Sequence, residues 1–197
     1  TRLRCDWSSD VCRLLIYANL GNALKSRGDM DNAVESFRRA LDIDPENAET
    51  HWNLAQVLLL QGRLREGWSE YEWRTKCGDF RSMIWNVDGP KWDGGDLDGK
   101  TILLYAEQGL GDTLQFIRYA RGIAQKGGEV VVKCLPALSA LIQTAPGVAR
   151  VVSRIDRSVP YEVQASLASL PHILGTEEET TPADVPYLTE IGRAHGW

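Results

Sequence analysis

The stretch ANLGNALKSRGDMDNAVESFRRALDIDPENAE, residues 18–49, decides the fold of the first half of the chain. When the sequence is compared with itself at a distance of about 34 residues, this stretch aligns with the one that follows it. The matched pairs include Leu20 with Leu54 and Gly28 with Gly62. A repeat of this length holds two helices, and one copy buries its apolar face only against a neighbour. The first half is therefore predicted to be a set of helical hairpins.

The first hairpin has small residues where its two helices must approach each other. Gly21 and Ala33 leave room for a close contact, and Leu20, Leu24 and Phe37 are expected to fill the seam between the helices. The second copy is degenerate but keeps an apolar face. The pattern predicts four helices, over about residues 14–26, 30–43, 47–61 and 64–76.

The second half has a different pattern. Residues 79–99 are rich in Gly, Asp and Trp and are predicted to form a linker. An apolar strand is expected at Thr101–Tyr105, followed by a helix over about residues 113–126. Alternating strands and helices predict a doubly wound α/β unit with parallel strands. Three further strands are expected, at residues 129–134, 148–152 and 161–163.

Two glycine motifs in this half raise the question of nucleotide binding. GGDLDGKT at Gly94–Thr101 matches the letters of a phosphate-binding loop, but such a loop follows a strand and begins a helix. Here a strand is expected after Lys100, so we do not expect a phosphate loop. The turn at 109–112 has the right context, but Leu114 occupies the third glycine position of a dinucleotide fingerprint. Binding of NAD is therefore not expected.

The turn after the first strand is the candidate site. Ligands of open α/β sheets bind outside the carboxyl ends of the strands, and glycines there let backbone N–H groups approach a polar or anionic ligand. The residues predicted to bind substrate are Glu107, Gln108, Gly109 and Gly111. Asp112 has two possible roles. It can cap the following helix, with Gln115 completing the cap, or it can act in catalysis.

The residues carry a family likeness at this point. The repeats, EGWSEYEWR at 66–74, PKWDGGDLDGKTILLYAEQGLGDTLQFIRYA at 90–120, SLPHILGT at 169–176 and TPADVPYL at 181–188 resemble bacterial tetratricopeptide-repeat proteins with a heptosyltransferase-like glycosyltransferase domain. The resemblance implies a GT-B domain, which has two Rossmann-like halves with the active site between them. It implies that Asp112 is the general base on the acceptor hydroxyl, with Gly109 and Gly111 shaping the turn.

The two ends of the chain do not fit either half. TRLRCDWSSDVC at 1–12 and EIGRAHG at 190–196 both resemble translated sequencing-library adapter, because residues 5–12 and 190–195 can be back-translated into it. Ordinary frayed termini are the alternative. The sequence thus predicts a fragment of a longer protein, in five parts. These are an adapter-like, non-native segment at 1–12, tetratricopeptide repeats at 13–78, a linker at 79–99, a partial Rossmann-like glycosyltransferase half at 100–189, and a second adapter-like segment at 190–197.

Composition limits the partners. There are 22 basic and 27 acidic residues, and the net charge of −5 argues against nucleic acid. No apolar run approaches the length of a membrane span, and neither a metal site nor a cofactor is expected. The four cysteines are too scattered for a disulfide framework, so a reducing cytoplasmic setting is expected.

Two functions remain open at this stage. In the first, the chain is a fragment of a glycosyltransferase whose repeats bind a protein or the acceptor and whose α/β part supplies the acceptor side of the cleft. The resemblance implies that the other half holds the nucleotide-sugar donor, so this chain alone is expected to be inactive. In the second, the chain is a non-catalytic interaction scaffold, with a peptide bound in the concave groove of the repeats.

Overall fold

The computed structural model describes residues 10–78, 87–107, 109–154 and 159–189. These residues form two units. The first comprises the described residues up to Gly78 together with Thr176–Glu179, and the second comprises those from Val87 to Gly175 and from Thr180 onward. Helical hairpins followed by a parallel sheet with helices confirm the predicted α + α/β class.

The first unit is built from consecutive antiparallel helices. The first helix begins at Asp10, so it includes the last three residues of the segment predicted to be non-native, and Cys12 is buried. The fourth ends at Tyr71, after which a 3₁₀ turn covers Glu72–Lys76. The α-helices bounded within the described residues of this unit are α1 (Asp10–Ser26), α2 (Met30–Ile43), α3 (Ala48–Leu60) and α4 (Leu64–Tyr71).

Gly21 lies against the ring of Phe37 where α1 packs on α2. A Cβ atom built on Gly21 would lie 2.6 Å from Cε1 of Phe37, so only glycine fits there. Phe37 is completely buried, whereas Leu20 is 45% exposed. The expectation that Leu20 fills the seam is wrong, because the helix turns its Gly21 side toward α2. A core cluster of the first unit joins α2 to α3 and contains Ala33, Val34, Phe37, Leu54, Val57 and Leu58.

His51 links α3 to α4 and to the 3₁₀ turn after it. Its ring stacks on Trp73, with ring centroids 3.9 Å apart. Nδ1 contacts the carboxylate of Glu70, and Nε2 lies 2.9 Å from the carbonyl oxygen of Pro45. One side chain therefore joins the turn before α3 to α4 and to the 3₁₀ turn after it.

The second unit contains a parallel sheet in the order β3-β2-β1-β4. Its two inner strands are almost entirely apolar and buried, which is the pattern of a sheet covered on both faces. The fourth strand begins two residues later than the sequence predicted. The strands are β1 (Thr101–Tyr105), β2 (Glu129–Lys133), β3 (Val148–Val152) and β4 (Val163–Ser166).

The helix after β1 differs from the predicted single helix over 113–126. It begins at Leu110, and a 3₁₀ turn at Ile117–Tyr119 divides it. Four of the five residues from Phe116 to Ala120 are buried, more than one α-helical stripe presents, and the tighter turn coincides with them. The helices described in this unit are α5 (Leu110–Phe116), α6 (Ala120–Ala124), α7 (Pro136–Ile142) and α8 (Leu170–Ile173).

The segment expected to be a linker is described from Val87 onward, and there it packs into the second unit. The Trp92 amide donates to the carbonyl oxygen of Gln164 in β4, and the Leu97 side chain is buried. Residues 94–99 form neither helix nor strand, and Thr101 begins β1. The chain therefore enters a strand after Lys100, the reverse of a phosphate loop. The domain boundaries themselves stay predictions.

No helix among the described residues is long and apolar enough to cross a membrane.

Candidate functional site

The candidate site lies at the carboxyl ends of β1 and β4, where the order of the strands along the chain reverses direction in the sheet. The chain moves from β1 to β2 and β3 on one side, and β4 pairs with β1 on the other. The crevice outside the carboxyl ends of the strands at such a switch point is the usual ligand site of open α/β sheets. The turn after Tyr105 opens at this edge, as the sequence predicted.

The turn from β1 into α5 is anchored by Thr113. Gly109 is the N-cap residue of α5 and has an extended backbone, with φ −63° and ψ 176°. Its carbonyl oxygen accepts hydrogen bonds from the amide of Thr113 at 3.2 Å and from the hydroxyl of Thr113 at 3.1 Å. Because Thr113 is buried, these bonds fix the first turn of the helix.

Gly109 and Gly111 have no structural need to be glycine within the described chain. A Cβ atom on either residue would meet no atom within 4 Å, and neither has a left-handed backbone. Both are exposed. A glycine in a helix costs about 0.5–1 kcal/mol relative to alanine. The open space beside these residues is what a ligand that approaches the backbone closely requires.

Asp112 lies in the first turn of α5 and is partly exposed. The interpretation of Asp112 as the N-cap is wrong, because Gly109 occupies that position and the helix has no side-chain cap bond. The helix begins three residues earlier than predicted, which places Asp112 inside it. Among the described residues, no hydrogen bond or ion pair involves its carboxylate. An uncommitted carboxylate at this edge can accept a proton from a bound hydroxyl group.

The other residues predicted to bind substrate differ in their surroundings. Glu107 follows β1 by two residues and is buried. Gln108 lies outside the described residues. The structure therefore brings Glu107, Gly109, Gly111 and Asp112 into one turn, and their roles in binding stay predictions.

A row of buried polar residues crosses the same edge of the sheet. Tyr105 ends β1 and pairs in register with Lys133 on one side and Ser166 on the other. All three are buried. The hydroxyl of Ser166 accepts a hydrogen bond from the amide of Ala168. Sequence reasoning did not single out this row, although a lysine at the end of a valine run is visible in the sequence.

Within this row of residues, Lys133 has a shifted pKa. Desolvation by burial lowers its pKa to about 8, and the neighbouring Cys134 acts in the opposite direction. Burial also raises the pKa of Cys134. Strongly shifted groups in a crevice are characteristic of functional sites.

Within the described ranges, no group of three or more His, Cys, Asp or Glu residues is placed to hold a metal ion.

The comparison with family models agrees with the helical hairpins of the first unit. Residues 16–62 match the family model described as TPR repeat, which covers most of α1 and all of α2 and α3. The first unit thus carries a tetratricopeptide repeat. Over 115 residues the chain is 31% identical to Protein FlbA of Caulobacter vibrioides, and this match covers 57% of the chain.

The chain is much shorter than the proteins it matches. The match covers 19% of FlbA, so the chain spans about a fifth of that relative. A mutant O-GlcNAc transferase of Thermobaculum terrenum is similar at 14% identity and a TM-score of 0.29, with 80% of this chain and 36% of that chain covered.

Proposed function

We propose that the chain is part of a repeat-containing glycosyltransferase of the heptosyltransferase-like kind, in which the α/β unit forms the acceptor side of the active-site cleft. The observation that carries the proposal is the Gly109–Asp112 turn. It follows β1 at the switch point of a parallel sheet, it has two glycines that leave open space, and it presents an uncommitted carboxylate.

Asp112 is the proposed general base. A sugar acceptor attacks through a hydroxyl group, which must lose its proton as the new glycosidic bond forms. Asp112 would take that proton, while Gly109 and Gly111 let the acceptor approach the backbone and Glu107 and Gln108 contribute polar contacts. The nucleotide-sugar donor would be bound by a second half in the complete protein, and the chain alone would be inactive.

The repeats are proposed to bind a protein or the acceptor substrate. Tetratricopeptide repeats commonly bind peptides in the groove that successive repeats form. Polar groups join α1 to α3 here, because Nζ of Lys25 donates to side-chain oxygens of Asn53 and Gln56, each 3.3 Å away. Such amide groups can also bond to the backbone of an extended peptide. A cytoplasmic location and a bacterial source stay predictions from the sequence.

The proposal is tested by a transfer assay on the complete gene product. Purified protein is incubated with a panel of nucleotide-sugars, and sugar transfer to acceptors is followed by mass spectrometry. A Gly111→Val variant should fold but lose transfer, because its side chain fills the open space beside the turn. A Gly122→Val variant, at another exposed helical glycine, is the matched control. Transfer that is the same in both variants would remove the turn from the site.

A further inference from the structure

Ile16, Leu20 and Ala23 form an exposed stripe on α1. Their spacing at i, i+4 and i+7 places them on one face of the helix. A shift of one repeat length, about 34 residues, matches each of them with a residue of α3. These counterparts are buried, whereas the residues of the stripe are exposed. The counterparts, in the same order, are Thr50, Leu54 and Val57.

The matched faces differ because α2 covers the face on α3. Leu54 and Val57 belong to a core cluster that also contains Val34 and Phe37 of α2. Leu54 is therefore only 3% exposed, whereas Leu20 is 45% exposed. Among the described residues, no helix covers the stripe of α1 in the same way. The interface between α2 and α3 shows which partner fits the stripe, namely a helix with the small and apolar surface of α2.

The helix α2 of a second copy cannot supply this surface. Ala33, Phe37 and Ala40 are completely buried, because they already pack within their own chain. The repeat gives a different place for the partner, since a helix one repeat length before α2 would end near residue 9.

The residues at that place in this chain do not have the pattern of α2. Residues 1–9 lie in the segment predicted to be non-native and outside the described residues. Asp6 stands one repeat length before Ala40, which is completely buried. An acidic side chain at a buried position is unfavourable. A different sequence is therefore expected before Arg13 in the complete protein.

We propose that the stripe of Ile16, Leu20 and Ala23 is the docking surface for the second helix of a preceding tetratricopeptide repeat, which the residues before Arg13 of the complete protein supply. This inference goes beyond the proposed function, because it does not depend on sugar transfer. It makes α1 an internal helix of a longer array and extends the surface that the repeats offer to a partner.

Thiol labelling, followed by mass spectrometry, measures whether the stripe is covered. Ala23→Cys tests the stripe, and Ser26→Cys is the matched control on the same helix. Ser26 is exposed and its counterpart Leu60 is 70% exposed, so a preceding helix should leave this position open. In this chain both variants should be labelled at similar rates. In the complete gene product, labelling of Ala23→Cys should be slower by at least about 100-fold, and labelling of Ser26→Cys should not change.

Photo-crosslinking identifies the partner of the stripe. Photo-leucine, which has nearly the shape of leucine, is incorporated into the complete gene product, and crosslinks from Leu20 are mapped by mass spectrometry. The expected crosslink joins Leu20 to a segment of the same chain about 20 residues before it, because the cluster residues of α2 precede Leu54 by about that number. A mixture of isotopically heavy and light protein distinguishes crosslinks between copies.

Either experiment can overturn the proposal. Labelling of Ala23→Cys that is as fast in the complete gene product as in this chain would show that the stripe is not covered. Crosslinks from Leu20 to a second copy or to another protein, in place of the preceding segment, would show that the partner is not a preceding repeat.

Discussion

The hydroxyl of Thr113 donates a hydrogen bond to the carbonyl oxygen of Gly109, 3.1 Å away, and the amide of Thr113 donates to the same oxygen at 3.2 Å. One buried residue thus holds the start of α5 and the glycine before it in one conformation. Catalytic groups need such support, since small displacements of a reacting group lower the rate. The turn that carries Asp112 is therefore anchored to the core of the second unit.

Thr113→Val should lower the free energy of unfolding by about 1 kcal/mol, because it removes the hydroxyl bond and keeps the shape of the side chain. Thr75→Val is the matched control. The Thr75 hydroxyl also donates to a backbone carbonyl, at 3.1 Å, but Thr75 is exposed and water replaces its bond. Urea denaturation of both variants measures the difference. Equal changes in the free energy of unfolding would show that the buried hydrogen bond contributes no more than the exposed one.

Gly111→Ala should raise the free energy of unfolding by about 0.5 kcal/mol, because the new methyl group meets open space and alanine favours a helix. Gly147→Ala should instead lower the free energy of unfolding. Gly147 has a left-handed backbone with φ +89°, and a Cβ atom there would lie 2.6 Å from the carbonyl oxygen of Ala120. Thermal unfolding of the two variants provides the comparison. A destabilised Gly111→Ala would mean that the turn needs glycine for structural reasons.

Gly21→Ala should destabilise the first hairpin by about 1–3 kcal/mol, because its methyl group overlaps the ring of Phe37. Gly122→Ala, at a helical glycine with no atom near its Cβ position, should be neutral or stabilising. Circular dichroism during thermal unfolding distinguishes these outcomes. A neutral Gly21→Ala would contradict the close packing of α1 on α2.

The stability of Lys133→Met relative to the wild-type protein should fall as the pH rises from about 8 to about 10.5. The folded-state pKa of about 8 lies below the ordinary value of 10.5, so the unfolded chain binds more protons between these values. The wild-type protein therefore gains stability from pH 8 to 10.5, by at most about 3 kcal/mol. Lys100→Met, at an exposed position, should show no such dependence. A Lys133→Met difference that is constant with pH would contradict the burial of a charged amine.

The sequence predicted the bounds of those elements whose residue pattern allows only one interpretation. Helix α2 and strands β1 and β3 have the predicted bounds, because apolar periodicity or a short apolar run is bounded there by Gly, Pro or polar residues. The start of α5 was missed, since the segment around Leu110 has no periodic pattern and the glycines on either side of it have a low helix propensity. Thr113 and Phe116 in this helix are buried, and this tertiary packing offsets the low propensity of the glycines.

Two other features depend on contacts that no local pattern contains. Leu20 and Gly21 are adjacent in α1, and which of them faces α2 is decided by the fit of Gly21 to Phe37. Lys133 is visible in the sequence, but its burial results from its position between β1 and β3. The glycine turn was found because its residue types are specific, whereas the polar row at the sheet edge joins residues from separate strands.

The most direct test of the account is the turnover of Asp112→Asn in the complete gene product. Asn has nearly the same shape as Asp but cannot take the proton from the hydroxyl group of the acceptor. The kcat should therefore fall by about 10²–10⁴-fold. Stability should change by no more than about 1 kcal/mol, because the lost charge near the start of α5 affects only the helix dipole. A parallel Gln115→Asn variant, at an exposed position in the same helix, should keep full turnover. Unchanged kcat in Asp112→Asn, with sugar transfer intact, would contradict the general-base assignment.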